Sequence, residues 1–189
     1  MTWFLIGLCG FLAVHSIRIV APGWREARIA AMGAGAWKGV YALLSIATFG
    51  LMIWGYGQAR SSPVLVWVPP MPLRHAGALL VLVALVSLVA TYVPRNAIKA
   101  RLQHPMLAAT AIWAAAHLLM SGWLHAMLLA GAFLVWALFA FVSARRRGRI
   151  ELQTRVGMTV LAIVIGLALT VAFALHLHGA LVGVVPFPR

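Results

Sequence analysis

The sequence predicts an all-α integral membrane protein, a bundle of six transmembrane helices, from its composition, its apolar stretches and the positions of its prolines. Of the 189 residues, 64% are hydrophobic and 9% are charged, and the mean hydropathy is +1.01. A soluble domain of this size carries about a quarter charged residues. We therefore expect a lipid bilayer as the surroundings of the chain, and a single domain over residues 1–189.

Six stretches are apolar enough to be membrane helices, since a helix needs about 20 such residues to cross the hydrocarbon core. They cover residues 2–20, 37–56, 76–93, 104–120, 123–142 and 156–175. Eight of the nine prolines fall outside these stretches. The ninth, Pro105, takes a first helical position, where its missing N–H costs nothing. Hydropathy and proline therefore mark the same boundaries.

Lysine and arginine are distributed unevenly between the two sides of the predicted bundle. Twelve follow the first, third and fifth helices, whereas the opposite side holds only Arg60, Arg74 and Arg189. The positive-inside rule then places both termini outside. The net charge of +13 is explained by this topology and by contact with anionic lipid, so no nucleic-acid partner is expected.

Two segments between the predicted spans have a recognisable character. Residues 61–73 are apolar but hold four prolines, so we expect a semi-rigid flap in the outer interface rather than a helix. Residues 96–103 are short, basic and amphipathic, which is typical of a helix on the inner surface. No Lys or Arg precedes the first apolar stretch, so it is interpreted as a retained helix rather than a cleavable signal.

Acidic residues are almost absent, and this excludes several kinds of chemistry. The only two, Glu26 and Glu151, are expected in inner-side loops. Paired-carboxylate hydrolysis, carboxylate-rich Mg²⁺ or Ca²⁺ sites and acidic proton relays therefore lack their residues. The single cysteine, Cys9, has no second cysteine with which to form an intramolecular disulfide. Any reaction has to depend on histidine, arginine, aromatic residues or a bound cofactor.

Seven histidines are the remaining anomaly of the composition. Four lie at or near predicted span ends, where an imidazole is typically an interfacial polar tip: His75, His125, His176 and His178. His15, His104 and His117 belong to the spans, where polar groups tend to face the bundle interior. Each of them can bond a backbone carbonyl, or two of them can share a metal. No thiolate or carboxylate is available to complete a zinc site at depth, so haem iron fits better. Spacing alone does not decide which two histidines form the pair.

Several short sequence motifs are spread, in a particular order, along nearly the whole chain. They are His15-Ser16, Trp37-Lys38-Gly39, Arg95-Asn96, His104-Pro105, Ala116-His117 and, in the tail, His178 followed by Val182-Gly183. No single string is specific, but together the set resembles the NnrU family of bacterial membrane proteins. That resemblance implies a multi-pass protein of the bacterial inner membrane.

The NnrU family is in turn similar to the plant 15-cis-zeta-carotene isomerase, an integral membrane haem b protein. The resemblance implies that His15 and His117 are the axial ligands of the haem iron and the catalytic residues. His104 is the alternative ligand, or a residue that supports one. Arg18, one turn after His15, is expected to bind a haem propionate or to anchor the helix at the inner face. A third, exchangeable histidine of the isomerase has no counterpart here.

The function expected from this resemblance is haem b binding, with cis–trans isomerisation of an apolar, carotenoid-like polyene that enters from lipid. The alternative is a non-enzymatic haem protein for redox transfer, NO sensing or assembly in nitrite and nitric oxide reduction; no protein partner is indicated. A methyltransferase like the isoprenylcysteine carboxyl methyltransferases is less well supported, because Arg101 and His104 are not adjacent and no downstream acidic pair exists. An ion-coupled transporter would need intramembrane carboxylates that the chain lacks.

Overall fold

A computed structural model describes residues 1–184, except the side chain of Leu181, and nearly all of this part of the chain is helical. The helices are Thr2–Val20 (α1), Pro22–Ser61 (α2), Met71–Tyr92 (α3), Ala97–Leu102 (α4), Pro105–Met120 (α5), Leu124–Arg145 (α6), Val156–Ala172 (α7) and His178–Val182 (α8). A π-helical turn, Phe173–Leu177, connects α7 to α8. Pro186, Pro188 and Arg189, which entered the proline and charge patterns, lie outside the described residues.

The predicted all-α class is confirmed, and each of the six predicted stretches coincides with a helix. Five helices are long and apolar enough to cross a membrane: α1, α2, α3, α6 and the continuous Val156–Ala180 unit. Helix α5 is also apolar but has only 16 residues. Pro105 occupies its first turn, as predicted.

Helix α2 begins at Pro22, well before the predicted boundary at residue 37, and has 40 residues. It is interrupted at Gly33, whose φ of +85° lies in a region that L side chains rarely adopt. The prediction that Glu26 lies in a loop is wrong, because Pro22 starts a helix and the arginine and alanine residues that follow favour one. Glu151 does lie in a non-helical segment.

The helices pack as a hairpin, α1 with α2, beside a group made of α3, α5, α6 and α7. Helices α1 and α2 approach closely: a Cβ at Gly55 would collide with the backbone of Phe4. In the other group α5 packs against α3 and α6, while α7 packs mainly against α3. Within residues 1–184, α1 meets the second group only through a narrow contact with α6 and does not contact α5. Helix α6 therefore stands between α1 and α5.

At one end of the bundle, here called the basic end, α1, α3 and α6 finish and α5 begins. Helix α4 lies there, and the buried Asn96 is its N-cap, accepting a hydrogen bond from the Lys99 N–H at 2.7 Å. The Asn96 amide also donates to the carbonyl oxygen of Ala90 at 2.9 Å. The prediction of a short helix over residues 96–103 is thereby confirmed.

At the opposite end, residues 62–70 cross the start of α6 without forming a helix. The Val66 N–H donates to the Gly122 carbonyl oxygen at 2.8 Å, and the Leu124 N–H donates to that of Val64 at 2.9 Å. The predicted flap is therefore non-helical in its centre, although residue 61 and residues 71–73 belong to α2 and α3. Pro72 is tolerated in α3 because it lies in the first turn.

Candidate functional site

His15 lies near the end of α1 and is held by its own helix. Its Nδ1 is 2.8 Å from the carbonyl oxygen of Phe11, one turn earlier. Because a carbonyl oxygen only accepts hydrogen bonds, the neutral ring carries its proton on Nδ1 and donates it there. The lone pair is then on Nε2, and that nitrogen is available as a ligand. The ring also packs on Phe11, with 4.1 Å between centroids.

His117, near the end of α5, repeats this arrangement. Its Nδ1 is 2.8 Å from the carbonyl oxygen of Trp113, and the two rings lie 4.5 Å apart. The ring therefore has the same tautomer as that of His15, with the Nε2 lone pair unused. A hydrogen bond from the distal ring nitrogen to a carbonyl is the usual way in which proteins orient a metal-binding histidine.

An aromatic layer connects the two histidines across α6. We define it as Phe11, Trp113, Phe133 and Trp136. Phe133 lies 6.0 Å from both Phe11 and Trp113, and Trp136 lies 6.4 Å from Phe133. The Trp136 ring is 6.2 Å from His15 and almost perpendicular to it.

The two imidazoles lean toward each other from opposite ends of the bundle. Helix α1 runs toward the basic end and α5 runs away from it. Because helical side chains point back toward the N-terminus of their helix, the His15 ring leans away from the basic end and the His117 ring leans toward it. Each ring packs on a different member of the aromatic layer, His15 on Phe11 and His117 on Trp113.

The third predicted residue, His104, is not part of this arrangement. It precedes α5, and 13 helical residues separate it from His117 by about 20 Å along the axis. Its ring packs 6.3 Å from Phe141 at the basic end. The Nε2 atom is buried and has no hydrogen-bond partner within residues 1–184. His104 is therefore placed at the basic end, about 20 Å along α5 from His117, and its role as the alternative ligand stays a prediction.

A cleft of about 400 Å³ opens beside His15, between α1 and the kinked part of α2. Arg18 lines it together with Arg25, Lys38 and Tyr41. The predicted propionate residue Arg18 is thus in the same cleft as His15. In the sequence alone, Arg25 and Lys38 indicate only the topology. The three-residue spacing of Lys38 and Tyr41, which puts both on one helix face, was the available clue.

The remaining histidines are not members of the aromatic layer, and one differs from its prediction. His75 and His176 are exposed, as expected for interfacial tips. His125 is only 6% exposed, because Tyr56 packs against its ring at 5.0 Å and the 62–70 segment crosses the start of its helix. The interfacial-tip prediction for His125 is therefore wrong. His178 is half-buried and bonds the Val184 carbonyl oxygen at 2.7 Å.

The two unused imidazole nitrogens are compatible with a haem iron and are too few to hold a bare metal ion. Within residues 1–184, no three His, Cys, Asp or Glu side chains cluster in a way that could hold a metal. A porphyrin supplies four nitrogens of its own, so two neutral imidazoles complete the coordination of its iron. The tautomers of His15 and His117 leave the required lone pairs available.

Comparison with protein families gave one match that covers nearly the whole chain. The family model described as NnrU protein matches residues 3–186. No curated protein and no solved structure matched the chain. The match extends over all the helices described above, including those that carry both histidines and the cleft.

Proposed function

The chain belongs to the NnrU family, and from this premise we propose that it is a haem b-binding integral membrane protein. The observation that carries the proposal is the matched pair His15 and His117. Each imidazole donates from Nδ1 to a carbonyl oxygen of its own helix, each keeps the lone pair of Nε2, and the two lean toward one aromatic layer.

The proposed topology has six membrane helices, with α5 as the sixth. Helix α5 is short for a span, but it follows α4 at the basic end, where positive side chains can reach the headgroups. The arginines of the basic end face the cytoplasm of a bacterium by the positive-inside rule. Both termini then lie on the other side of the inner membrane.

In this proposal His15 and His117 would hold the haem iron through their Nε2 atoms, and the chain orients both rings. The hydrogen bonds to the Phe11 and Trp113 carbonyls fix the plane of each ring and raise the basicity of its Nε2. The aromatic layer makes the surroundings of the two histidines apolar. When bound, haem b would supply an iron that can change its oxidation state.

We further propose an apolar, carotenoid-like polyene as the substrate and its cis–trans isomerisation as the reaction. Within the described residues α1 meets the second group only through α6, and in this proposal an apolar chain reaches the aromatic layer from the lipid beside α6. The membrane part of the chain offers aromatic and aliphatic side chains there and no carboxylate. Such surroundings suit a hydrocarbon substrate and would exclude a polar one.

The absorption spectrum of detergent-purified protein, oxidised and reduced, tests haem binding. We expect a sharp Soret band with six-coordinate, low-spin features, which His15→Ala and His117→Ala both abolish or convert to a five-coordinate form. His176→Ala is the matched control, because that histidine is exposed. A colourless preparation after haem-replete expression would overturn the proposal. Loss of the band in His104→Ala but not in His117→Ala would overturn the ligand assignment.

The isomerase step needs its own assay, which is turnover of 9,15,9′-tri-cis-zeta-carotene by the reduced protein. Product formation that His15→Ala and His117→Ala eliminate would support it. Haem-dependent NO binding without turnover, or co-purification with a reductase, would instead favour the non-enzymatic role in nitrite and nitric oxide reduction.

A further inference from the structure

The cleft beside His15 combines an available imidazole nitrogen with three cationic side chains. We propose that Arg18, Arg25 and Lys38 recognise the two carboxylates on one edge of the porphyrin. This inference rests on the haem binding proposed above and assigns the part of the site that selects a dicarboxylate ligand. The cleft holds about 400 Å³ and lies between α1 and the kinked part of α2.

The three cations line the same cleft as His15. Arg18 follows His15 by three residues, so both lie on one face of α1, with Arg18 nearer the basic end. Arg25 comes from the section of α2 before the Gly33 kink, and Lys38 comes from the section after it. A porphyrin whose iron is held at His15 would therefore meet all three cations at its edge nearest the basic end.

The side-chain donors of these three cations are unused in the described part of the chain. Within residues 1–184, the side chains of Arg18, Arg25 and Lys38 donate no hydrogen bond to another residue, and no acidic residue lines the cleft. Arg28, on the same helix as Arg25, differs because its guanidinium lies over the Trp24 ring at 5.7 Å. The three cations of the cleft thus have their charge and their donors free for an anionic group.

The walls of the cleft are partly aromatic, and this distinguishes a porphyrin from a lipid headgroup as its ligand. Trp37 is only 8% exposed and fixes the start of the membrane part of α2. Tyr41, one turn further into the membrane, packs 5.5 Å from His15. The cations therefore lie at the mouth of a cleft whose inner wall is aromatic and contains an unused imidazole nitrogen. A flat, aromatic dicarboxylate matches both parts, whereas a phospholipid headgroup matches only the cations.

The test compares two metal-free porphyrins, protoporphyrin IX and its dimethyl ester, bound to the full-length protein in neutral detergent. Porphyrin fluorescence gives the affinity without relying on iron ligation. We expect the wild type to prefer the diacid by about tenfold, since the ester removes both charges. Arg25→Gln and Lys38→Gln should each weaken diacid binding by about threefold to tenfold and leave ester binding unchanged. Arg28→Gln is the matched control and should change neither affinity.

Three results would overturn the inference while haem binding stands. They are equal wild-type affinities for diacid and ester, an equal loss of both ligands in Arg25→Gln, and displacement of the diacid but not the ester by phosphatidylglycerol. The last would show that a lipid headgroup is the ordinary ligand of the cations. If the wild type binds neither porphyrin and takes up no haem, the proposed function itself fails.

Discussion

His15 and His117 are held by the same hydrogen bond, from Nδ1 to the carbonyl oxygen four residues earlier, and in both the length is 2.8 Å. They lie on helices that run in opposite directions, and each ring packs on a residue, Phe11 or Trp113, that itself contacts Phe133. The tautomer of each imidazole is fixed by a carbonyl oxygen of its own helix, and α6 lies between the two helices. Each histidine can therefore be replaced without breaking the hydrogen bond of the other.

If haem is bound as proposed, replacing one of its two histidines should leave a site that an external ligand can complete. In His117→Gly the ring is lost but the Trp113 carbonyl and the rest of α5 remain, so we expect five-coordinate, high-spin haem. Added imidazole should restore the six-coordinate, low-spin spectrum, because it fits the space of the lost ring. His176→Gly provides the control and should stay low-spin throughout. A low-spin spectrum in His117→Gly without imidazole would mean that another residue is the ligand.

The six helical stretches could be predicted because the bilayer imposes a simple rule on them, apolar length, that local composition satisfies. The start of α2 could not be predicted by that rule. Residues 22–36 are too polar and glycine-rich to span a membrane, yet Pro22 and the following helix formers make them helical. Hydropathy identifies what lies in lipid, whereas helix formation at the surface depends on propensity and capping.

The bound cofactor at the candidate site stays a prediction. The scarcity of acids and the depth of His15 and His117 pointed to a bound cofactor. The burial of His125 could not be foreseen, because it depends on Tyr56 and on a distant segment, 62–70, that crosses its helix. The cationic cleft was missed for a similar reason. Arg25 and Lys38 come together only through the kink at Gly33.

The contact between α1 and α2 predicts opposite effects for two neighbouring glycines. A Cβ at Gly55 would collide with the backbone of Phe4, whereas a Cβ at Gly57 would meet nothing within 4 Å. We expect Gly55→Ala to cost about 1–3 kcal/mol of unfolding free energy, since backbone atoms must move. Gly57→Ala should be neutral or stabilising by up to about 1 kcal/mol, because alanine favours a helix.

Denaturation of the purified protein in mixed micelles, followed by circular dichroism, measures both changes. Equal stability of the two variants would show that α1 and α2 are not packed through Gly55. Haem retention in Gly55→Ala is a second measurement. Because His15 lies on α1, displacement of α1 should weaken haem binding in this variant and not in Gly57→Ala.

Asn96 should be the most sensitive polar residue at the basic end. Its side chain caps α4 by accepting from the Lys99 N–H and donates to the carbonyl oxygens of Ala90 and Val93 at the end of α3. Asn96→Ala loses the cap and leaves buried carbonyls unpaired, which should cost about 2–4 kcal/mol. Asn96→Asp keeps the acceptor but buries a carboxylate oxygen against the two carbonyl oxygens, so it should cost at least as much as Asn96→Ala. Thermal unfolding in detergent ranks the variants, and a wild-type melting temperature in Asn96→Ala would contradict this role.

At the other end of the bundle, Arg60 should control the order of the last helical turns. Its guanidinium, at the end of α2, donates to the carbonyl oxygens of Val182 and Gly183 and so ties α8 to the hairpin. Arg60→Met removes these donors while keeping the length of the side chain. We expect faster amide hydrogen exchange in residues 173–184, because the end of α8 then opens without losing other contacts.

Arg60→Lys should give an intermediate rate, since an ammonium group does not present two parallel donors. Arg74→Met is the control on the same side of the bundle and should leave the exchange unchanged. Unaltered protection in Arg60→Met would show that α8 is held by its contacts with the π-helical turn alone.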